Sequence, residues 1–173
     1  MNQVLSDLYV KDSMTGLYNR MGYQKLSVSY FSIMKEKKVP VLVMFIDLDR
    51  LKYINDTYGH EYGDFAIVSI AKAMLKYCAA DAIAARTGGD EFIVFMTNTE
   101  LASAVEAKGA EILDILAKSE TTPHFTVSIG AAAYPAAGND YESLYLAADN
   151  AMYASKKSGK NRIYVDNGQQ KKE

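Results

Sequence analysis

Apolar residues fall along this chain in two patterns, short unbroken runs and longer stretches spaced by three and four. Pro40 to Ile46 (PVLVMFI), Ala82 to Ala85 and Phe92 to Met96 are the runs. Each has strand length and is apolar on both faces, as a covered strand would be. Phe125 to Ala133 reads as another strand, with Phe125, Val127 and Ile129 alternating against Thr126, Ser128 and Gly130. Ile163 to Val165 is a last short one. Between them, Ile67, Ile70, Ala71, Met74, Leu75 and Cys78 recur at helical spacing and predict a helix packed on a sheet. Asn19 predicts the N-cap of a helix running to about Lys38, with Leu26, Tyr30, Ile33 and Met34 inward. Glu100 to Lys118 predicts another, with Leu101, Val105, Ile112 and Leu116 inward. Asp49 to Tyr58 reads as a short helix closed by Gly59, after which Gly63-Asp64 opens the next. Asn139 and Glu142 form a capping-box pattern ahead of a helix that buries Leu144, Ala147, Ala148, Ala151 and Met152. Strands alternating with helices, plus one hairpin, predict an α/β sandwich.

Composition narrows this picture without changing it. At 173 residues the chain has room for one domain with a proper core. Its net charge of −2 offers no basic excess for a nucleic acid or an anionic membrane. The longest apolar run is too short to span a bilayer, and the start lacks the pattern of a signal peptide. The single cysteine, Cys78, reads as a small core residue. A cytoplasmic location is the expectation.

Chemistry enters where two apolar runs end in acids. Pro40 to Ile46 leads into Asp47-Leu48-Asp49, and the hairpin stretch Arg86-Thr87-Gly88-Gly89-Asp90-Glu91-Phe92 puts two acids at the mouth of an apolar strand. The paired glycines predict a tight turn, because Gly adopts positive φ without steric cost. Carboxylates at strand ends are costly to desolvate unless paired, and a divalent cation is the usual partner. Were the two strands neighbours, Asp47 and Asp90 would converge on one metal site suited to displacement at a phosphoryl group. The stretch from Asn55 to Asp64 is unusually polar. A carboxylate there can accept from guanine N1–H and N2–H₂, and an amide can bond the N3 edge. Capping is the alternative, since Asp64 is a good N-cap and Asn55 a good turn residue.

These stretches together resemble the GGDEF family, the diguanylate cyclases. Asp12 to Arg20 (DSMTGLYNR) is similar to the family's opening block, and Phe45 to Asp64 (FIDLDRLKYINDTYGHEYGD) to its D-x-D-x-F-K-x-I-N-D-x-x-G-H-x-x-G-D block. Val127 to Gly130 (VSIG) and Ala148 to Arg162 (ADNAMYASKKSGKNR) resemble its last two. The resemblance implies a mixed, mainly antiparallel central sheet with a β-α-β-β-α-β palm core like that of nucleotidyl cyclases, flanked by helices. It also implies condensation of two GTP into cyclic di-GMP with release of two pyrophosphates. Mg²⁺, with Mn²⁺ as an alternative, would be held by Asp47, the Leu48 carbonyl, Asp90 and Glu91. Asp90 matches the proposed proton acceptor, beside Glu91. Lys52 would stabilise the transition state, and Asn55, His60 and Asp64 would surround the guanine. Lys156 and Lys160, four apart at the end of the last helix, would meet the phosphates, from one face if the helical turn persists, their alternative being solvated lysines at a helix end.

The resembled reaction needs two sites face to face, hence a homodimer. Residues 1–11 then read as the end of a linker or signalling helix, 12–166 as the cyclase domain and 167–173 as a polar tail. An upstream sensory or dimerising domain is expected to be missing from the chain. The alternative function is a catalytically silent regulatory domain that binds GTP or cyclic di-GMP. A palm-like transferase acting on a polynucleotide would want a basic groove that the composition lacks. Three departures from the family pattern, at four positions, stand out. Leu51 replaces an aromatic and Thr87 a tyrosine, both read as packing changes. Ala79 and Ala82 stand where an inhibitory product site needs Arg and Asp, and Asp81 is off by one. That inhibitory site is therefore expected to be absent, although Arg86 remains nearby.

Overall fold

The computed structural model describes residues 9–77, 82–98, 102–118 and 124–168. Within them the chain forms α1 (Arg20–Glu36), β1 (Val41–Leu48), α2 (Leu51–Tyr58), α3 (His60–Tyr77) and β2 (Ile83–Arg86). It continues with β3 (Glu91–Thr97), α4 (Ala102–Ala117), β4 (Val127–Tyr134), α5 (Tyr141–Lys157) and β5 (Arg162–Asp166). The five strands make one sheet in the order β2-β3-β1-β4-β5. All neighbours are antiparallel except β4 and β5. This is the mixed, mainly antiparallel sheet expected, with β1 at its centre.

The continuous apolar run of β1 follows from burial on both faces, since every residue of the strand is buried. Its even positions, Leu42, Met44, Ile46 and Leu48, pack with Ile54, Ile67, Ile70, Met74, Val105 and Ile112 from α2, α3 and α4. Its odd positions, Val41, Val43 and Phe45, pack with Tyr23 and Phe31 of α1 and with Leu144, Ala148 and Met152 of α5. The period of two along the strand thus sorts the helices into two layers. α5 lies unusually close to β4. A Cβ on Gly130 would come within 1.9 Å of the Met152 nitrogen and 2.5 Å of the Ala148 oxygen. Only a residue without a side chain seats α5 at that depth.

Several expectations are corrected. α1 does start at Asn19, whose side chain accepts from the Gly22 amide at 2.9 Å. Its buried stripe, however, is Tyr23, Ser27 and Phe31, while Leu26, Tyr30 and Ile33 are exposed. Both stripes have helical spacing. The buried one includes a serine because the Ser27 hydroxyl donates to the Tyr141 hydroxyl at 2.8 Å. α3 begins at His60, so Gly63 and Asp64 lie inside it and Asp64 is no N-cap. Asp140, not Asn139, caps α5, accepting from the Ser143 amide at 2.8 Å. Leu75 is exposed on α3. Cys78, Ala79, Asp81 and Leu101 lie outside the described residues. The buried face expected for α5 is the one observed. No described helix is long and apolar enough to cross a membrane.

Candidate active site

Asp47 extends the odd row of β1, so its side chain emerges on the α5 side of the sheet. Register sets its neighbours: Asp47 pairs with Glu91 on β3 and with Ser128 on β4. The Leu48 amide donates to the Asp90 carbonyl at 2.9 Å, fixing the hairpin's mouth to the end of β1. Asp47 is 5% exposed and receives Lys156 Nζ, from the last turn of α5, at 2.8 Å. Its carboxyl is nevertheless pushed up to about 6. Burial is the main cause, and Asp90 and Glu91 add to it, while the hydrogen bond and charge of Lys156 oppose it. Asp47 thus feels two neighbouring carboxylates and is paired with one ammonium.

The hairpin keeps its shape by other means than positive φ. Neither Gly88 nor Gly89 has positive φ, which corrects the reason expected for the pair. A Cβ on Gly88 would sit 2.9 Å from Glu91 Oε2, the end of an exposed side chain that can turn aside. Arg86 Nη2 donates to the Gly89 carbonyl at 2.8 Å, and Nη1 meets Asp12 Oδ1 at 3.5 Å. Burial would raise the Asp12 carboxyl, but the Thr15 hydroxyl and amide, helped by Arg86, hold it below the usual range. The opening block is therefore a clasp on the hairpin. Arg86, which stands near the position expected for a product site, is engaged in that clasp, and Ala82 is half-buried.

The opposite layer carries the other polar group. Asn55 lies on α2, and its Oδ1 is buried with no hydrogen-bond partner. Gly63, buried on α3, makes the room for it, since a Cβ there would fall 1.9 Å from that oxygen. His60 and Asp64, four apart on α3, are exposed beside it. Lys52 is exposed in the first turn of α2.

Lys156 and Lys160 do not share a helical face. α5 ends at Lys157, and Lys160 and Asn161 both adopt left-handed backbone, at φ 64° and 47°. Lys160 instead lines a cleft of about 280 Å³ with Arg50, Tyr53 and His124. A second cleft, of about 320 Å³, opens on the α1–α5 side among Tyr23, Tyr141 and Tyr145 and touches the signature only at Thr87.

Sequence reasoning missed Asp49, taken only as the start of a helix. It is 5% exposed and accepts from Ser128 Oγ at 2.7 Å, Thr126 Oγ1 at 2.7 Å and the Asn161 amide at 3.1 Å. Two hydroxyls preceding or opening an apolar strand were the available signal.

Among the described residues, no three Asp, Glu, His or Cys side chains gather tightly enough to form a ready metal cluster. The acids are instead lined up across neighbouring strand ends. In charge and donor type, carboxylate oxygens are what a hard divalent cation takes.

The family model "Diguanylate cyclase, GGDEF domain" matches residues 9–162. The chain is 35% identical over 167 residues to the probable diguanylate cyclase DgcC of Escherichia coli, covering 94% of this chain and 44% of that protein. It is 36% identical over 158 residues to the cyclic di-GMP phosphodiesterase PdeR of the same organism, covering 89% of this chain and 23% of that one. The chain thus spans less than half the length of these relatives. Among solved structures, the coiled coil and GGDEF domain of DgcB from Caulobacter crescentus, in complex with c-di-GMP, superposes with a TM-score of 0.84 at 28% identity. That match covers 95% of this chain and 89% of the other.

Proposed function

The chain belongs to the GGDEF family of diguanylate cyclase domains, and we propose that it condenses two GTP molecules into cyclic di-GMP with release of two pyrophosphates. The observation that carries this reading is the row Glu91–Asp47–Ser128 across β3, β1 and β4, with Asp90 tied to Leu48 and Lys156 on the acid. It puts acids and a cation at one strand end, while the unpaired Asn55 oxygen lies on the adjoining helices.

In this reading Asp47, Asp90, Glu91 and the Leu48 carbonyl hold Mg²⁺ or Mn²⁺. The metal, when bound, neutralises triphosphate charge and stabilises charge developing at the α-phosphorus. Asn55 and Asp64 read the guanine edge, with His60 beside them. Lys52, Lys156 and Lys160 meet the phosphates, and Asp90 takes the proton from the attacking 3′-hydroxyl. Each 3′-hydroxyl attacks the other nucleotide, so two domains face each other in a homodimer.

The likeness to a protein named as a phosphodiesterase favours one rival, a regulatory domain that binds GTP without turnover. Incubating the concentrated protein with GTP and Mg²⁺ and separating the products by chromatography distinguishes them. Cyclic di-GMP is the expected product. Bound GTP that is never converted would favour the regulatory reading.

A further inference from the structure

The turn between α5 and β5 is the most contorted backbone near the site. Gly159, Lys160 and Asn161 have φ of 114°, 64° and 47° in succession. Two of these are residues with side chains in a region that disfavours them, so surrounding contacts must hold the turn. Three groups do so. The Ser155 hydroxyl, buried, donates to the Arg162 carbonyl at 2.8 Å, and the Lys160 amide donates to the Ser155 carbonyl at 3.1 Å. Ser155 supplies both of those. The second holder is the Arg162 guanidinium, whose Nε donates to the Lys160 carbonyl at 3.0 Å. The third is the Asp49 carboxylate, which takes the Asn161 amide on Oδ2.

Asp49 is itself held from below. Its own amide donates to the Thr126 carbonyl at 2.8 Å, and the Thr126 and Ser128 hydroxyls donate to its two oxygens. The end of β1 therefore grips the α5–β5 connection at two points: Asp47 on Lys156 before the turn, and Asp49 on Asn161 after it. Lys160 stands between them and faces the cleft it shares with Arg50, Tyr53 and His124.

We propose that Asp49 is a positioning residue for phosphate binding, holding the left-handed turn that presents Lys160 to the triphosphate. This deepens the reading of the site above and rests on it. A carboxylate suits the task because all three of its partners are donors. An asparagine of the same shape keeps one oxygen for the Asn161 amide but loses the charge, and needs a hydroxyl to turn round and accept from its own amide. Asp49 acts through Lys160 and touches no substrate itself.

The test uses two probes that report the two halves of a nucleotide. Inorganic tripolyphosphate reads the phosphate side and guanosine the base side, each titrated by calorimetry in the presence of Mg²⁺. Asp49→Asn should weaken tripolyphosphate about tenfold, the loss of one charge-assisted bond, and leave guanosine unchanged. Lys160→Ala should weaken tripolyphosphate to a similar degree. The double variant should be no weaker than Lys160→Ala alone, since both changes remove one presentation. A merely structural Asp49 would lower affinity for both probes together. Wild-type tripolyphosphate binding by Asp49→Asn, or additive losses in the double variant, would overturn the inference. If Lys160→Ala alone has no effect, the phosphate role assigned to Lys160 fails instead. Should Asp49→Asn not fold, the near-isosteric Thr126→Val removes one support of the carboxylate. It should shift tripolyphosphate in the same direction, and no shift would count against the proposal.

Discussion

The two sides of the candidate site are prepared in opposite ways. On the proposed phosphate side the buried and half-buried charges have partners already: Asp47 has Lys156, Asp49 has two hydroxyls and an amide, and Arg86 has the Gly89 carbonyl and Asp12. On the base side the Asn55 oxygen is buried with nothing to bond, in a gap that only glycine at position 63 leaves open. A buried charge without a partner costs far more than a buried amide oxygen without one. The fold can leave the amide empty, but it must supply a counterion for the acids. One side is therefore held ready by exchangeable partners, the other by vacancy.

The largest blow to this contrast should come from the hairpin. Asp90→Asn keeps the turn's backbone bonds and removes the proposed base and a charged ligand. Turnover measured as cyclic di-GMP formed should fall roughly a hundredfold or more, and near wild-type synthesis would remove Asp90 from the site. Next is the choice of base. A carboxylate at position 64 that accepts from guanine N1–H meets an acceptor in adenine. GTP should be preferred to ATP by roughly a hundredfold or more, and equal affinities by calorimetry would end the assignment of Asp64.

Gly63→Ala tests the vacancy directly. Its Cβ and Asn55 Oδ1 cannot coexist at 1.9 Å. GTP affinity should drop about tenfold, equivalent to about 1.4 kcal/mol, while tripolyphosphate binding stays near wild type. Equal losses for both ligands would mean that α3 has moved as a whole.

A smaller effect should appear in stability. Asp47 has its folded pKa raised from 3.8 to about 6. Between those values the folded state holds a proton that the unfolded state has released, so stability falls as pH rises through the window. Above about pH 6 the penalty is fully present, and below about 4 it is absent. Asp47→Asn should thus raise the Tm of metal-free protein at pH 7.5 by a few degrees, about 1–2 kcal/mol. The gain should vanish at pH 4. A lower Tm at pH 7.5 would show that the Lys156 pair outweighs the burial. The smallest expected signal is product binding through the surface ahead of the hairpin, where Ala82 offers no charge and Arg86 is engaged. Cyclic di-GMP titrated to low micromolar concentration should show no saturation. Tight binding that persists in Arg86→Ala and is not displaced by GTP would reveal another product site.

Much of this was legible beforehand because it rests on period and composition. The doubly apolar run of β1, the stripe of α5 and the acids at two strand ends each followed from short-range pattern. What escaped depends on contacts distant in sequence. No local rule chooses Tyr23, Ser27 and Phe31 over Leu26, Tyr30 and Ile33, since a tyrosine 114 residues away decides whether Ser27 can be buried. Gly63 looked like a helix start because its purpose is space for a side chain on another helix. Asp49 looked like a helix start as well, and its partners lie 77, 79 and 112 residues on. The helical face expected for Lys156 and Lys160 failed because α5 stops between them, at a turn that Gly159 alone announces.

The bond between Lys156 and Asp47 has a further consequence when the lysine is regarded as a tethered competitor. An ammonium fixed to the last turn of α5 meets its acid at an effective concentration that a dissolved ion must match. If the proposed function holds, free magnesium arriving alone would have to displace it, whereas a triphosphate arriving with its metal would offer Lys156 somewhere else to go. The empty domain would then hold metal weakly and the nucleotide-loaded domain strongly. Order of arrival would be built into the site by one side chain with two alternative partners.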